Sequence, residues 1–224
     1  MINDYIQIIK DIFIGMFKQK EVYKRIEKRP VNERPLIANM IILMIFSAIS
    51  ILYIRSKALS YQGNLPDFIL DRIDNYNTIV TMHPVQLLLQ VFYTLVISFL
   101  ASSVYIKIAA WIGKAKVTFR ECCVLASYSW GPNVIASAIM TLLVLIMPIE
   151  KTMFAQSIFD IIITNPTAKE FFTILDPFYI YSIFIIFKYT GYIPAKNGRR
   201  YWHIWILIIF LFPILTGIVS KAAG

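Results

Sequence analysis

The chain has 224 residues, of which 58% are hydrophobic, 15% aromatic and only 16% charged. This composition argues against a soluble globular domain, and two cysteines, the neighbours Cys122 and Cys123, cannot build a disulfide framework. The formal net charge of +9 favours an oriented membrane topology and contact with anionic lipid over nucleic-acid binding in so apolar a chain.

Residues 1–35 are predicted to form a basic amphipathic arm. Apolar side chains recur at helical spacing over residues 3–29, with lysines and arginines between them. The stripe consists of Tyr5, Ile9, Ile12, Met16, Tyr23 and Ile26. We expect this helix to lie at the headgroup level of anionic lipids. Pro30 and Pro35 are expected to end it. A helix that binds a protein partner would show the same pattern.

Five apolar runs follow, and each approaches or exceeds the length that a helix needs to cross the hydrocarbon core. They cover residues 36–54, 84–106, 122–147, 177–193 and 204–219. The predicted fold is therefore all-α: a polytopic membrane domain of five transmembrane helices over residues 36–224, preceded by the arm. Strands of alternating polarity, as in a membrane β-barrel, are not indicated.

The loop charges agree with five spans. Segments 1–35, 107–120 and 188–200 hold eight, four and four lysines and arginines, whereas 55–83, 148–176 and 220–224 hold three, two and one. By the positive-inside rule the N-terminus is cytoplasmic and the C-terminus lies outside. We expect an integral membrane protein with this orientation.

The third predicted span is unusually polar in its first half. Pro132 removes a backbone hydrogen bond and Gly131 weakens the helix beside it, which predicts a kink. Small side chains around the kink favour close helix packing. The alternative is a polar cavity lined by Tyr128, Ser129 and Asn133.

Two further polar features belong to the second and fourth spans. Gln86 and Gln90 lie four residues apart on one helical face, where interhelical hydrogen bonds are expected. Asp176 is the one charged residue between Phe171 and Phe187, and Pro177 follows it. An aspartate before a proline at the first helical position predicts an N-cap at the outer interface. The alternative is that Asp176 contacts a water-filled cavity, which is compatible with capping.

Four sequence features together resemble one known family of membrane proteins. Phe17 to Ile26 is similar to the family's basic lead-in, although Lys20 stands at the usual proline position. Ala126-Ser127-Tyr128 with Pro132 is similar to the opening of the family's third span, with Ser127 in place of glycine. Asp176-Pro177-Phe178 with Tyr181 is similar to the start of its fourth span, with tyrosine for tryptophan. A short turn before the terminal span completes the resemblance, which is to the Yip (Ypt-interacting protein) superfamily of five-span membrane proteins in its prokaryotic form. The resemblance implies a bacterial or archaeal plasma membrane.

The residues predict no catalytic, metal-binding or cofactor-binding site, because the spans hold neither paired acids nor a nucleophile–base set. For Cys122 and Cys123 packing is expected, with reversible acylation as the alternative. We therefore expect a non-catalytic scaffold or accessory subunit that organises other membrane protein subunits. The alternative is a channel or transporter whose cavity lies between spans two, three and four. Its candidate residues are Asp176, Pro177, Tyr128, Pro132, Asn133, Gln86 and Gln90.

Overall fold

The computed structural model describes residues 2–27, 34–63, 65–155, 157–163, 165, 176–192 and 204–210. Throughout these residues the regular secondary structure is helical. The helices are α1 (Ile2–Phe17), α2 (Gln19–Glu27), α3 (Arg34–Leu59), α4 (Asp67–Leu70), α5 (Ile73–Thr81), α6 (Pro84–Ile112), α7 (Phe119–Ser129), α8 (Gly131–Ile146), α9 (Ile149–Thr152), α10 (Ile158–Ile162) and α11 (Pro177–Tyr192). Residues 204–210 are helical as well.

Long apolar helices indicate a membrane-embedded protein. Among the described residues, α3 and α6 are long and apolar enough to cross a membrane, and α7 with α8 makes a third candidate if the bent pair is one span. The exposed apolar side chains on α3 repeat about every four residues: Ile37, Ile41, Ile45, Ile49 and Leu52. A stripe of this kind suits a helix face in contact with lipid.

The predicted kink at Gly131 and Pro132 is confirmed. Helix α7 ends at Ser129, α8 begins at Gly131, and the two are bent by 40°. Helices α3 and α6 extend beyond the predicted spans 36–54 and 84–106, and the added residues include charged ones. Helix α11 occupies the predicted fourth span with 16 residues. Residue 193 and residues 211–219 of the predicted spans lie outside the described residues.

The predicted N-terminal arm differs from the structure. It contains two helices, α1 and α2, with a break at Lys18, and not one continuous helix. Within the predicted stripe, Ile12 and Met16 are buried and the other four side chains are half-buried. This burial arises because α1 packs against α7 and α2 packs against α11. Protein therefore covers a face that was expected to contact lipid. The position of the arm's other faces at the headgroups stays a prediction, and residues 28–33 lie outside the described part.

The chain divides into two compact units. The first unit comprises Met1–Ile41, Val96–Val134 and Ile174–Gly224, and the second comprises Ile42–Leu95 and Ile135–Thr173. In the first unit the ring of Tyr105 on α6 meets Phe210 edge-on, with centroids 5.2 Å apart. Phe99 and Trp130 pack in the same manner at 5.7 Å. Aromatic pairs of this geometry fix the second half of α6 against its neighbours in that unit.

The second unit has a small core of its own. Ala58 of α3, Ile69 of α4, Tyr76 of α5 and Met153 after α9 are buried together. The Tyr76 hydroxyl donates to the Ala58 carbonyl at 3.2 Å, and Arg55 donates to the carbonyls of Ile79 and Met82 at the end of α5. A guanidinium at a helix C-terminus satisfies carbonyls that lack intrahelical partners, so Arg55 fixes α5 to α3.

Candidate functional site

Asp11 is the one fully buried charged side chain among the described residues, with 0% of its surface exposed. Its Oδ1 accepts hydrogen bonds from Arg25 Nη1 at 2.7 Å and from Gln7 Nε2 at 3.2 Å. An ionised carboxylate is costly to bury unless it is paired and hydrogen-bonded. The Asp11 cluster, defined as Gln7, Asp11 and Arg25, therefore fixes α2 against α1.

The carbonyl of Met16 makes a second polar connection at the end of α1. It accepts hydrogen bonds from the Tyr181 hydroxyl of α11 and from Gln19 Nε2 of α2, the latter at 2.6 Å. The last carbonyls of a helix have no intrahelical donor, so side chains from neighbouring helices satisfy this one. Tyr181 thereby links the end of α1 to α11.

Two glycines allow α1 to approach its neighbours closely. A Cβ on Gly15 would lie 2.2 Å from the hydroxyl oxygen of Tyr189 on α11. A Cβ on Gly131, at the start of α8, would lie 2.9 Å from the carbonyl oxygen of Ile12. Both distances are shorter than a carbon atom tolerates, so the packing of α1 depends on a missing side chain at both positions.

Asn39 connects α3 to the broken helix pair. The side chain is 1% exposed, and its Nδ2 donates to the Ser127 carbonyl at 2.6 Å. The same carbonyl accepts from Trp130 N at 3.3 Å, where α7 ends. A helix break frees carbonyls from the regular pattern, and in a membrane protein another helix must satisfy them. Asn39 does so at this break.

The Asp11 cluster and Asn39 were missed by the sequence interpretation, although a signal for each is present. Asp11 falls on the same helical face as Ile8, Ile12 and Gly15, so its spacing places it on the packed side of α1. Asn39 is an uncharged polar residue a few positions inside the first predicted span. Polar side chains at such positions commonly bond to a neighbouring helix.

Five of the predicted site residues belong to the first unit. Tyr128 and Pro132 are buried, and Asn133 is half-buried. Asp176 accepts a hydrogen bond from Phe178 N through Oδ1 at 2.8 Å, and Pro177 is the first residue of α11. Asp176 therefore has the geometry of an N-cap, in which a side-chain oxygen pairs with an N–H of the first helical turn.

The other two predicted site residues, Gln86 and Gln90, belong to the second unit, and both side chains are exposed. Gln86 Oε1 accepts from His83 N at 3.1 Å, and His83 directly precedes α6. This contact joins the third residue of the helix to the backbone of the residue before it, as in a capping box. Gln86 thus bonds within its own helix end, and the interhelical bond expected for it stays a prediction.

The described residues contain no group of three or more histidine, cysteine, aspartate or glutamate side chains placed to hold a metal ion. The Cys122 side chain is buried and Cys123 is half-buried, which favours packing over acylation for Cys122. What the site offers is a set of fixed polar contacts that dock α1 and α2. Comparison of the chain with family models, curated proteins and solved structures found no match.

Proposed function

We propose that this chain is a five-span, Yip-type membrane protein that acts as a non-catalytic scaffold or accessory subunit, with a cytoplasmic N-terminus. The observation that carries the proposal is the docking of α1 and α2. An ion pair between the buried Asp11 and the partly exposed Arg25 and a hydrogen bond from Tyr181 fix these helices, and two glycines permit their close approach. Side chains on docked helices occupy set positions, as a protein-recognition surface requires.

The outer surface of this helix pair is strongly charged. Lys10, Lys20 and Lys24 are exposed, and Lys18 forms an exposed ion pair with Glu21 at 3.7 Å. Lysines in such positions steer an acidic partner surface toward the helices and suppress association with basic ones. The proposed partners are therefore membrane protein subunits that present acidic side chains at the cytoplasmic face.

The distribution of basic residues supports five spans in the proposed topology. Sixteen lysines and arginines fall in alternate segments that begin with residues 1–35, and the other six fall in the segments between. Helix α11 adds a fourth apolar helix to the three candidates, and its 16 residues extend ~24 Å. That length nearly fills the hydrocarbon core of a bilayer.

The test is photocrosslinking from the docked helices in native membranes. A photoreactive residue at Lys24, exposed on α2, is compared with one at Lys57, exposed at the end of α3. We expect Lys24 to crosslink to one specific membrane subunit that also co-purifies at constant stoichiometry. The charge reversal Lys20→Glu should reduce that adduct several-fold, and the matched reversal Lys151→Glu should not. Adducts equally abundant from both positions, or insensitive to Lys20→Glu, would contradict a scaffold surface on α1 and α2.

The channel or transporter alternative makes a different prediction. It needs Tyr128, Asn133, Gln86, Gln90 and Asp176 to line one cavity, yet Gln86 and Asp176 bond to backbone N–H groups at helix starts. Purified protein in liposomes should therefore give no more solute or ion flux than protein-free liposomes. Flux that is abolished by Asp176→Asn without loss of folded protein would favour the transporter over the scaffold.

A further inference from the structure

The connection between α6 and α7 contains an unusual backbone position. Ala115 N donates to Ala110 O at 2.8 Å and Lys114 N donates to Trp111 O at 3.1 Å, a pattern that closes the end of α6. In this motif the residue after the cap takes a left-handed conformation, and here it is Lys114, with φ of 54°. Glycine is the favoured residue at such a position. The presence of lysine there suggests that its side chain has a function.

The charge of this connection is positive. Lys114 and Lys116 are exposed. The nearest acidic residue along the chain is Glu121, which accepts hydrogen bonds from Thr118 N at 2.6 Å and from the Thr118 hydroxyl at 2.8 Å. These bonds form a capping box at the start of α7, so the glutamate is engaged with the helix end. Lys107 holds the connection in place by donating to the Val117 carbonyl.

Exposed aromatic side chains stand on both sides of these lysines. Trp111 is 77% exposed and Phe119 is 42% exposed. Trp111 also completes an exposed apolar stripe along one face of α6, which contains Ile97, Leu100, Val104 and Ile108. An apolar stripe that ends in tryptophan and is followed by lysines is the pattern of a helix leaving the hydrocarbon core at the headgroups.

We propose that this basic turn, residues 111–120, binds the phosphate headgroups of anionic lipids in the membrane leaflet on its side. Trp111 and Phe119 lie in the interface, and Lys114 and Lys116 reach the phosphates. Lys114, in its left-handed backbone conformation, places a positive charge at the tip of the turn. Glycine at this position would end the helix at least as well but would carry no charge. This lipid site is separate from α1 and α2, and it does not depend on the scaffold function proposed above.

The experiment uses Trp111 as a fluorescent reporter. The full chain, with Trp130, Trp202 and Trp205 replaced by phenylalanine, is reconstituted in phosphatidylcholine vesicles that contain a low, fixed fraction of brominated lipid. A lysine near an anionic surface enriches such lipids about fivefold. We expect brominated phosphatidylglycerol to quench Trp111 several-fold more than brominated phosphatidylcholine does. In Lys114→Gln/Lys116→Gln that ratio should fall to about one.

The matched control removes two exposed lysines elsewhere, Lys57→Gln/Lys151→Gln, and should leave the ratio unchanged. Equal quenching by both lipids overturns the proposal. Absence of quenching by either lipid also overturns it, and favours an acidic protein as the ligand of the turn. If the tryptophan replacements unfold the chain, native mass spectrometry can instead compare the phosphatidylglycerol bound to the protein with all four tryptophans present, with and without the two lysine substitutions. Lys114→Gln/Lys116→Gln should then retain several-fold less phosphatidylglycerol, and equal retention overturns the proposal.

Discussion

The carboxylate of Asp11 and the guanidinium of Arg25 meet at 2.7 Å, although the two residues lie on different helices. The Asp11 side chain is 0% exposed, whereas that of Arg25 is 42% exposed. The pair is therefore asymmetric: water still solvates the cation, but the anion depends on protein donors. Loss of the arginine leaves a buried charge without its cation, and loss of the aspartate leaves a cation that water can solvate.

Arg25→Gln should accordingly destabilise the docked helices more than Asp11→Asn does. We expect Arg25→Gln to cost about 2 kcal/mol, less than a fully buried pair because the arginine is partly exposed, and Asp11→Asn to cost about 1 kcal/mol or less. Hydrogen exchange of residues 2–27 in detergent would report undocking directly. Arg25→Lys serves as the control, since it keeps the charge and should fall between the two. Equal exchange in all three variants would show that the pair does not hold α2 in place.

Gly15→Ala should push α1 away from α11, because the new Cβ would lie 2.2 Å from the Tyr189 hydroxyl. We expect a loss of about 1–3 kcal/mol, as for other overpacked sites. In the background of Tyr189→Phe the same substitution should cost much less, because the nearest remaining ring carbon lies 3.6 Å away. Thermal unfolding of the four members of this double-mutant cycle measures the coupling.

Gly191→Ala is the matched control for that cycle, since no atom of the described residues lies within 4 Å of its added Cβ. Alanine is the better helix former, so this change should be neutral or stabilise by up to about 1 kcal/mol. An additive cycle, in which Tyr189→Phe fails to rescue Gly15→Ala, would mean that α1 is not held at this distance from α11.

Lys114→Gly should stabilise the chain, because glycine adopts the left-handed conformation without a clash between Cβ and the backbone. The gain should be about 1 kcal/mol. Lys116→Gly is the comparison: among the described non-glycine residues Lys114 is the only one with positive φ, so glycine at 116 adds freedom to the unfolded chain and should destabilise slightly. Unfolding temperatures in one detergent test both changes, and a destabilising Lys114→Gly would contradict the left-handed geometry.

The sequence predicted the elements whose signal is local. The kink followed from Gly131 and Pro132, and the start of α11 followed from Asp176 and Pro177, because a cap and a missing N–H act within one helical turn. The apolar stretches of α3 and α6 followed from length and polarity alone.

Contacts between distant residues were not predicted. Asp11 looked like one charge among many in a basic arm, because its partner Arg25 lies 14 residues away on another helix. The Met16 carbonyl at the end of α1 accepts a hydrogen bond from Tyr181, which follows 165 residues later. Periodicity identifies the apolar side of a helix, but protein and lipid can cover that side equally well. Only the packing shows that α7 and α11 cover much of the apolar side of α1 and α2.

Asn39 gives a test of the contact at the helix break. Asn39→Asp replaces the amide donor with a carboxylate that faces the Ser127 carbonyl, so it should destabilise strongly, by about 3 kcal/mol or more. Asn39→Leu leaves the carbonyl with its weaker bond from Trp130 N and should cost about 1–2 kcal/mol. Guanidinium or thermal unfolding of the purified protein gives both values. Asn39→Asp that is as stable as Asn39→Leu would contradict the hydrogen bond from Asn39 to Ser127.

Asp176 provides the last prediction, which separates a cap from a transport residue. Asparagine caps a helix about as well as aspartate, so Asp176→Asn should change stability by only a few tenths of a kcal/mol, whereas Asp176→Ala should cost about 1 kcal/mol. Unfolding of both variants, measured beside solute flux in liposomes, distinguishes the roles. A cap requires that the aspartate and asparagine proteins have similar stability and the alanine variant a lower one, without any effect on flux. If Asp176→Asn leaves stability intact but abolishes a measurable flux, the carboxylate charge itself has the function, and Asp176 is more than the start of α11.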